Sequence, residues 1–246
     1  MSNIPNIIHY CWFGDKMPFI LRQCVRTFSK IKADKIICWN EQNSPLDANQ
    51  NIKTLPENKE WAFVSDYVRL KALYDYGGIY FDTDIEVKYA FPKEFYDADL
   101  VIGYAYDNVI CTAMIMAKKH HPLIKHWLEL THNIKPGEKV VNNGSIYKAI
   151  KDLYPDFVLD GKFQEFAPNC FIYPRYYFDS ATYRFKTGGG FCVHHGMGSW
   201  HSPRSVIKRM LRPTVKLLRY YVKPFCVWYM NKVNKRIVAQ CKSNIE

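Results

Sequence analysis

Gly77-Gly78-Ile79-Tyr80-Phe81-Asp82-Thr83-Asp84 is the stretch of this sequence that decides the fold. The segment before it, residues 61–76, has the apolar spacing of a helix, and a Gly-Gly pair is a strong helix terminator. The apolar residues after the glycines predict a short β-strand, because such runs are typical of buried strands. The pattern therefore predicts a helix, a sharp turn and a buried strand that carries two carboxylates at its end.

Short apolar runs and helical segments alternate on both sides of this stretch. Strands are predicted at 4–13, 35–39, 79–81, 100–104, 109–117, 171–177 and 191–194, and helices at 19–31, 61–76, 123–131 and 146–153. This alternation predicts an α/β fold with a mostly parallel sheet. In such sheets ligands collect at the carboxyl ends of the strands, which is where Asp82 and Asp84 lie.

The acidic pair predicts a metal site. An Asp-x-Asp triplet alone is common in solvated turns, but the glycines and the strand before it favour a site that presents both carboxylates to a ligand. In an extended strand, residues 82 and 84 point the same way. Two carboxylates repel a diphosphate unless a divalent cation lies between them, and Mn²⁺ and Mg²⁺ accept such oxygen ligands. We therefore expect Mn²⁺ or Mg²⁺ here, neutralising charge on a departing diphosphate.

Asp66 and Arg69 lie three residues apart in the helix that precedes the strand, so they share one face. One interpretation is a surface ion pair, which contributes little to stability. The interpretation that we favour beside the acidic pair is a binding role. Asp66 would accept hydroxyls of a sugar or ribose, while Arg69 would face the sugar or the phosphates.

These motifs together resemble a known family. The pattern Ser65-Asp66-x-x-Arg69 followed by Gly77-Gly78-x-Tyr80-x-Asp82-x-Asp84 is similar to the block found in DxD-containing sugar transferases. That family includes bacterial capsule and O-antigen glycosyltransferases, fungal initiating α-1,6-mannosyltransferases and the catalytic core of the large clostridial glucosylating toxins. The resemblance implies an A-type, Rossmann-like glycosyltransferase fold. It also implies metal-dependent transfer from a nucleotide-diphospho-sugar with retention of configuration.

The resemblance assigns roles to individual residues. It places Asp82 nearest the ribose, sugar and metal, and makes Asp84 a direct metal ligand. Tyr80 becomes a wall of the donor pocket, and Asp66 and Arg69 contact the sugar, so Asp66, Arg69 and Asp82 are the implied catalytic residues. No acidic residue stands out as a nucleophile. The implied mechanism is therefore same-face substitution, in which the leaving phosphate oxygen helps to deprotonate the acceptor hydroxyl.

Three further residues are expected to bind substrate. Ser65 belongs to the donor-binding block that carries the resemblance. Trp12, after the first strand, is either a core residue or, by the resemblance, a flat surface on which the nucleotide base stacks. Asn143 either places an amide near the sugar or begins a helix as its cap.

The segment His194-His195-Gly196-Met197-Gly198-Ser199-Trp200 resembles the closing motif of the family. The resemblance implies that His194 or His195 completes the metal shell and that Ser199 and Trp200 approach the diphosphate. Two histidines after a strand can also be hydrogen-bonded core residues, but the glycines that follow favour a loop that closes on a ligand. His201 is a lesser metal candidate, and the break at 107–108 fits a turn better than a substrate contact.

The formal net charge of +11 belongs almost wholly to the end of the chain. Residues 204–246 hold 11 Lys/Arg and one acid, whereas residues 1–203 hold 23 Lys/Arg and 22 Asp/Glu. Apolar residues at helical spacing between these bases predict basic amphipathic helices that lie on an anionic membrane, with the strongest pattern in 204–236. The alternative is that these helices pack on the preceding part of the protein and leave their basic face in solvent. We divide the chain into a catalytic domain at 1–203 and a membrane-association tail at 204–246.

Eight cysteines without a CxxC pair, and no leader or spanning segment, predict a cytoplasmic protein on the inner face of the bacterial inner membrane. The expected partners are a nucleotide-sugar donor, with UDP favoured over GDP, and a lipid-linked O-antigen or capsule glycan as acceptor. Nucleic acid is not expected, because the body carries no supporting motif. The alternatives are a toxin-like protein glycosyltransferase and an inactive module that binds a sugar nucleotide or a membrane.

Overall fold

The computed structural model describes residues 2–46, 61–106, 109–132, 142–178 and 190–196. The predicted tail at 204–246, and its boundary with the catalytic domain, lie outside these residues.

The described part of the chain alternates strands and helices, as the sequence predicted. The strands are β1 (Ile7–Cys11), β2 (Lys35–Trp39), β3 (Gly78–Phe81), β4 (Ile85–Val87), β5 (Leu100–Tyr106), β6 (Val109–Ala117), β7 (Gln164–Ala167), β8 (Cys170–Tyr173) and β9 (Cys192–His194). The helices are α1 (Phe19–Arg26), α2 (Trp61–Tyr76), α3 (Lys93–Asp97), α4 (Pro122–His132) and α5 (Asn142–Leu153), with 3₁₀ turns at Thr27–Ile31 and Arg175–Tyr177.

Seven strands form one mixed sheet in the order β2-β1-β3-β6-β5-β8-β7. β1 pairs in parallel with β2 and β3, and β5 pairs in parallel with β8, but the other three pairings are antiparallel. The α/β class is confirmed, while the mostly parallel sheet was wrong. The reason is chain length: two residues separate β5 from β6, and two separate β7 from β8, which is too few for a parallel crossover.

Helix α2 confirms the predicted helix at 61–76, and its end depends on the two glycines. Gly77 and Gly78 have φ angles of +66° and +110°, which L side chains rarely adopt. A Cβ on Gly78 would lie 2.4 Å from the backbone oxygen of Ile7. The buried His9 side chain holds the same junction, since its Nε2 donates to the Gly77 carbonyl at 2.9 Å while its Nδ1 accepts from Trp39 at 3.2 Å. The glycines therefore let α2 end directly against β1.

Some boundaries differ from prediction. The helix predicted over 19–31 is helical as far as Arg26 and then tightens into a 3₁₀ turn. The strand predicted over 171–177 ends at Tyr173 and is followed by another 3₁₀ turn. β4, α3 and β7 were not predicted, because each has five residues or fewer and so few residues rarely identify an element by pattern.

Two buried clusters cover the two faces of the sheet. One contains residues of α2, α4 and α5, and the other contains residues of β4, α3 and the segment after α1. Alternation along β3 places Tyr80 on the α2 side, whereas Ile79 and Phe81 face the other cluster. Tyr80 is thereby set directly beneath the predicted site.

Among the helices in the described ranges, none has the length and apolar character needed to cross a membrane. The six cysteines in those ranges are all free thiols, as expected for a chain without a disulfide framework.

Candidate active site

The acidic pair lies in a turn between β3 and β4. The Asp82 amide donates to the Ala113 carbonyl at 2.8 Å, and the Ile85 amide donates to the Asp82 carbonyl at 3.0 Å. The expectation that residues 82 and 84 project from one extended strand was therefore wrong. The turn still gathers both carboxylates at the carboxyl end of β3, where the parallel neighbour β1 also ends.

A small second sheet brings a histidine to this turn. β4 pairs antiparallel with β9, and the pairing sets Ile85 opposite His194. The His195 amide donates to the Asp84 carbonyl at 3.0 Å, and His194 Nε2 lies 3.4 Å from Asp84 Oδ1. Residues more than one hundred positions apart in the sequence thus meet at one point.

Asp82, Asp84 and His194 have the geometry of a cation site. One ligand atom from each lies within 4.8 Å of the other two. Their side chains are 30%, 13% and 24% exposed, so an ion can reach them while the surrounding protein still orients them. Metal–oxygen bonds of about 2.1 Å place facing ligands about 4 Å apart, so a small side-chain movement suffices for shared coordination. The donor set of two carboxylates and one imidazole fits a divalent cation.

Arg69 lies beneath the carboxylates and joins two of them. Its Nη2 is 3.0 Å from Asp66 Oδ1 and 3.0 Å from Asp82 Oδ1, while its Nη1 donates to the Thr112 carbonyl at 2.8 Å. Arg69 is 5% exposed. Burial opposes its charge, but the carboxylates of Asp82 and Asp66 raise the pKa of the guanidinium above its usual value. The guanidinium is thus a fixed cation under the site.

Tyr80 supports the same carboxylate. Its hydroxyl donates to Asp82 Oδ1 at 3.0 Å, and its ring lies 4.6 Å below the Arg69 guanidinium carbon. Burial raises the pKa of the Tyr80 phenol well above its usual value, so the hydroxyl stays protonated and remains a donor. Both contacts to Asp82 use Oδ1, and neither uses Oδ2.

The structure separates the two histidines of the predicted closing motif. His194 belongs to the group with Asp82 and Asp84, whereas His195 Nε2 lies 3.0 Å from Glu86 Oε2. Lys88 contacts the other oxygen of Glu86. Burial opposes ionisation of Glu86, but hydrogen bonds from Lys88 and His195 lower the pKa of its carboxyl.

Glu86 is a residue that the sequence reasoning missed. A signal for it was present, because Asp84, Glu86 and Lys88 alternate with the apolar residues Ile85 and Val87. That period of two continues the acidic pair along the partly exposed face of β4.

The remaining predicted residues are placed differently. Ser65 Oγ donates to the Trp61 carbonyl at 2.8 Å within α2. Trp12 is half-buried after β1, where its Nε1 donates to the Asp15 carbonyl at 2.6 Å. Ser199, Trp200, His201 and the break at 107–108 lie outside the described residues, as does the side chain of Asn143 at the start of α5.

The residues that build this site fall in a region with a known counterpart. Residues 20–104 match the family model described as "Glycosyltransferase sugar-binding region containing DXD motif". Residues 20–104 are thus similar to the sugar-binding region of DXD-containing glycosyltransferases. The matched region, about a third of the chain, includes Asp66, Arg69, Asp82 and Asp84, and it confirms the resemblance found in the sequence. Members of this family use nucleotide-sugar donors and typically bind a divalent metal at the DXD motif.

The fold was also compared with solved structures. The chain is similar to a "PaToxG Glycosyltransferase" with a TM-score of 0.52 and 18% identity, over 63% of this chain and 71% of that chain. It is also similar to a glycosyltransferase involved in glycosylation of the major capsid of PBCV-1, with a TM-score of 0.40 and 12% identity over 70% and 83% of the two chains. The fold assignment rests on the first of these, which identifies an A-type glycosyltransferase fold. No curated protein matches the chain by sequence.

Proposed function

We propose that this chain is a retaining, metal-dependent glycosyltransferase that moves a hexose from a UDP-sugar to a lipid-linked O-antigen or capsule glycan. The observation that carries the proposal is the group formed by Asp82, Asp84 and His194, whose ligand atoms lie within 4.8 Å of one another. Asp82 and Asp84 follow β3, the strand that bears the family motif, and His194 reaches them from β9.

Asp82, Asp84 and His194 are the residues that would hold the cation. The imidazole favours Mn²⁺ over Mg²⁺, because Mg²⁺ prefers an all-oxygen shell that includes several waters. When bound, the ion neutralises the charge of the departing nucleotide diphosphate. Asp82 Oδ2 suits this role, since Arg69 and Tyr80 both contact Oδ1.

Arg69 is assigned as a positioning residue. It was expected to face the sugar or the phosphates, but its two Asp contacts and its burial support a role beneath them. By contacting Asp66 and Asp82 it holds both carboxylates in a fixed orientation. Asp66, with its side chain 24% exposed, remains the candidate that accepts sugar or ribose hydroxyls.

Same-face substitution is the proposed route to retention. A double displacement needs a carboxylate that attacks the sugar, but Asp66 and Asp82 both contact the Arg69 cation, which lowers their nucleophilicity. The leaving phosphate oxygen would instead accept the proton of the acceptor hydroxyl as the new glycosidic bond forms. The protein would contribute positioning and electrostatic stabilisation of the oxocarbenium-like state.

The charge distribution supports the proposed acceptor and location. The 11 Lys/Arg and one acid of residues 204–246 support contact with anionic lipid, and lipid-linked glycans are acceptors found at such a surface. We propose that the chain acts on the inner face of the bacterial inner membrane, with 204–236 as the membrane-contacting segment. Trp12, Ser65, Tyr80, Asn143, Ser199 and Trp200 remain the proposed substrate-binding residues beside the acidic group.

The test is transfer and hydrolysis with a panel of UDP- and GDP-sugars in Mn²⁺, Mg²⁺ or EDTA. We expect Mn²⁺-dependent release of UDP, loss of release in Asp84→Asn, and an α-linked product from an α-linked donor by NMR.

Asp152→Asn is the matched control. Asp152 pairs with His126 on the surface and lies on a helix that contributes no residue to the group of Asp82, Asp84 and His194. Donor binding without turnover would indicate the inactive module. Failure to bind any donor in Mn²⁺ would overturn the proposal.

A further inference from the structure

We propose that the outward face of α1 docks on an anionic lipid surface. Phe19 and Ile20, at the start of this helix, are 68% and 53% exposed, and Phe19 is the most exposed large apolar side chain in the described part of the chain. The buried face of the helix is formed by Leu21 and Cys24. An exposed aromatic and an exposed β-branched residue side by side form an apolar surface with no partner in the described ranges.

Basic residues surround this apolar surface. The segment 16–35 contains six Lys/Arg and one acid, Asp34, a difference of +5. The other residues of 1–203 hold 17 Lys/Arg and 21 Asp/Glu, a difference of −4. Within residues 1–203, the excess positive charge is therefore concentrated at α1 and the segments on either side of it. Such a local field favours an anionic partner at this place.

The helix geometry puts Phe19 and two basic residues on the same side. Arg22 and Arg26 follow Phe19 by three and seven residues, so the three side chains share one helix face. The Arg22 guanidinium carbon lies 6.0 Å from the centre of the Phe19 ring. An amphipathic helix with an aromatic residue among bases lies naturally in a headgroup layer, with the ring inserted and the bases at the lipid phosphates.

Lipid fits this surface better than two other occupants. The segment 204–246 carries a charge difference of +10, so like-charge repulsion disfavours it as a cover for α1. The phosphates of a nucleic acid would pair with the Lys and Arg side chains. A nucleic acid offers no apolar layer, however, for an aliphatic side chain such as Ile20. An anionic bilayer satisfies both kinds of group at once.

The surface borders the candidate active site. Thr27 Oγ1, just after α1, accepts from the Val87 amide at 2.8 Å, and Lys30 Nζ donates to the Val87 carbonyl at 3.0 Å. Val87 ends β4, the strand that begins directly after Asp84. Docking through α1 would thus hold the acidic group close to the membrane plane, where a lipid-linked acceptor is presented. The link to an acceptor rests on the proposed function, whereas the docking itself does not.

The test uses the full chain with vesicles of phosphatidylcholine and with vesicles that also contain phosphatidylglycerol. Because residues 204–246 are basic too, the readout must be local: hydrogen–deuterium exchange of the amides in 19–26. We expect protection of α1 by the anionic vesicles and none by the neutral ones. Phe19→Ser with Ile20→Ser should weaken vesicle affinity about tenfold, since two inserted apolar side chains are lost.

The matched control is Val158→Ser with Phe163→Ser. These side chains are each 54% exposed, and they precede β7, an edge strand of the seven-stranded sheet that does not contain β4. We expect its vesicle affinity to equal that of the parent chain. Bound vesicles without protection of α1, equal losses in both double variants, or protection of α1 by duplex DNA but not by vesicles would each overturn the proposal. Donor hydrolysis without vesicles separates the two ideas: it should persist in Phe19→Ser/Ile20→Ser, while Asp84→Asn should still bind vesicles.

Discussion

At the scale of single residues, Arg69 connects the parts of the site. It contacts Asp66 and Asp82 from below and stacks on Tyr80, and its Nε is a buried donor without a partner among the described residues. Retaining such a costly buried cation makes physical sense if the two carboxylates must be held in place. In the proposed function, ligands contact Asp66, Asp82, Asp84 and His194, and Arg69 holds two of these side chains from beneath.

Replacing Arg69 with Met should destabilise the protein and abolish transfer. The change removes the cation between two carboxylates, so we expect a loss of about 3 kcal/mol in the free energy of unfolding, reduced from the full cost of a broken buried pair because Asp66 and Asp82 are partly exposed. Urea denaturation measures it. Lys71→Met is the control: Lys71 pairs with Asp75 near the surface and should cost less than about 1 kcal/mol. Equal urea midpoints for both variants would contradict the positioning role.

Replacing Asp84 with Asn should remove metal binding. In the parent chain, Mn²⁺ should raise the thermal midpoint, because a ligand that binds the folded state stabilises it. The increase should disappear in Asp84→Asn and remain in Glu86→Gln, since Glu86 contacts His195 and lies outside the group with His194. If Glu86→Gln lost the Mn²⁺ effect as fully as Asp84→Asn, the assignment of ligands would be wrong.

At the scale of elements, the site depends on two junctions. The Gly77-Gly78 turn sets α2 directly against β1, and the pairing of β4 with β9 carries His194 to Asp84. Neither junction contains one of the proposed substrate-binding residues. Both nevertheless determine where the carboxylates and the imidazole lie.

Replacing Gly78 with Ala should destabilise the fold strongly. The new Cβ would lie 2.4 Å from the Ile7 carbonyl oxygen, and φ at this position is +110°. We expect a loss of about 3 kcal/mol or more, measured by urea denaturation or by soluble yield. Gly196→Ala is the matched control: φ there is +55° and no atom of the described residues lies within 4 Å of the added Cβ, so about 1 kcal/mol is expected. Similar losses at both positions would show that backbone conformation alone, and not the contact with β1, sets the cost.

At the scale of the whole molecule, two buried histidines make stability depend on pH. Burial lowers the pKa of His9, and burial with the nearby Lys118 lowers the pKa of His121 to about 4. His121 is 2% exposed and contacts the Cys170 sulfur at 3.4 Å. Both rings are therefore neutral in the folded protein at neutral pH.

Acid should weaken the fold through His121. Its folded pKa of about 4 lies below the ordinary 6.5, so the unfolded chain binds more protons between these values and stability rises with pH across the window. The contribution is complete above about pH 6.5 and is lost as the pH falls towards 4, by about 3 kcal/mol in total. Urea midpoints at pH 7 and pH 5 measure it, and His121→Gln should reduce the difference. An unchanged difference in the variant would exclude His121 as the source.

Local pattern was enough to predict much of the fold and part of the site. The helix at 61–76, the turn at Gly77-Gly78 and the strand that leads to Asp82 were all predicted, since each depends on neighbours within a few residues. Composition alone likewise places the excess positive charge in 204–246, where 11 Lys/Arg stand against one acid. These features need no knowledge of how distant segments pair.

Contacts between distant segments were decided by the tertiary structure alone. The register of β4 with β9 brings His194, and not His195, to Asp84, and α2 packs so that Arg69 lies under the carboxylates. The direction of each strand in the mixed sheet was set in the same way. The physical reason is that periodicity encodes which face of an element is buried, whereas the partner of that face depends on sheet order and register across the whole chain.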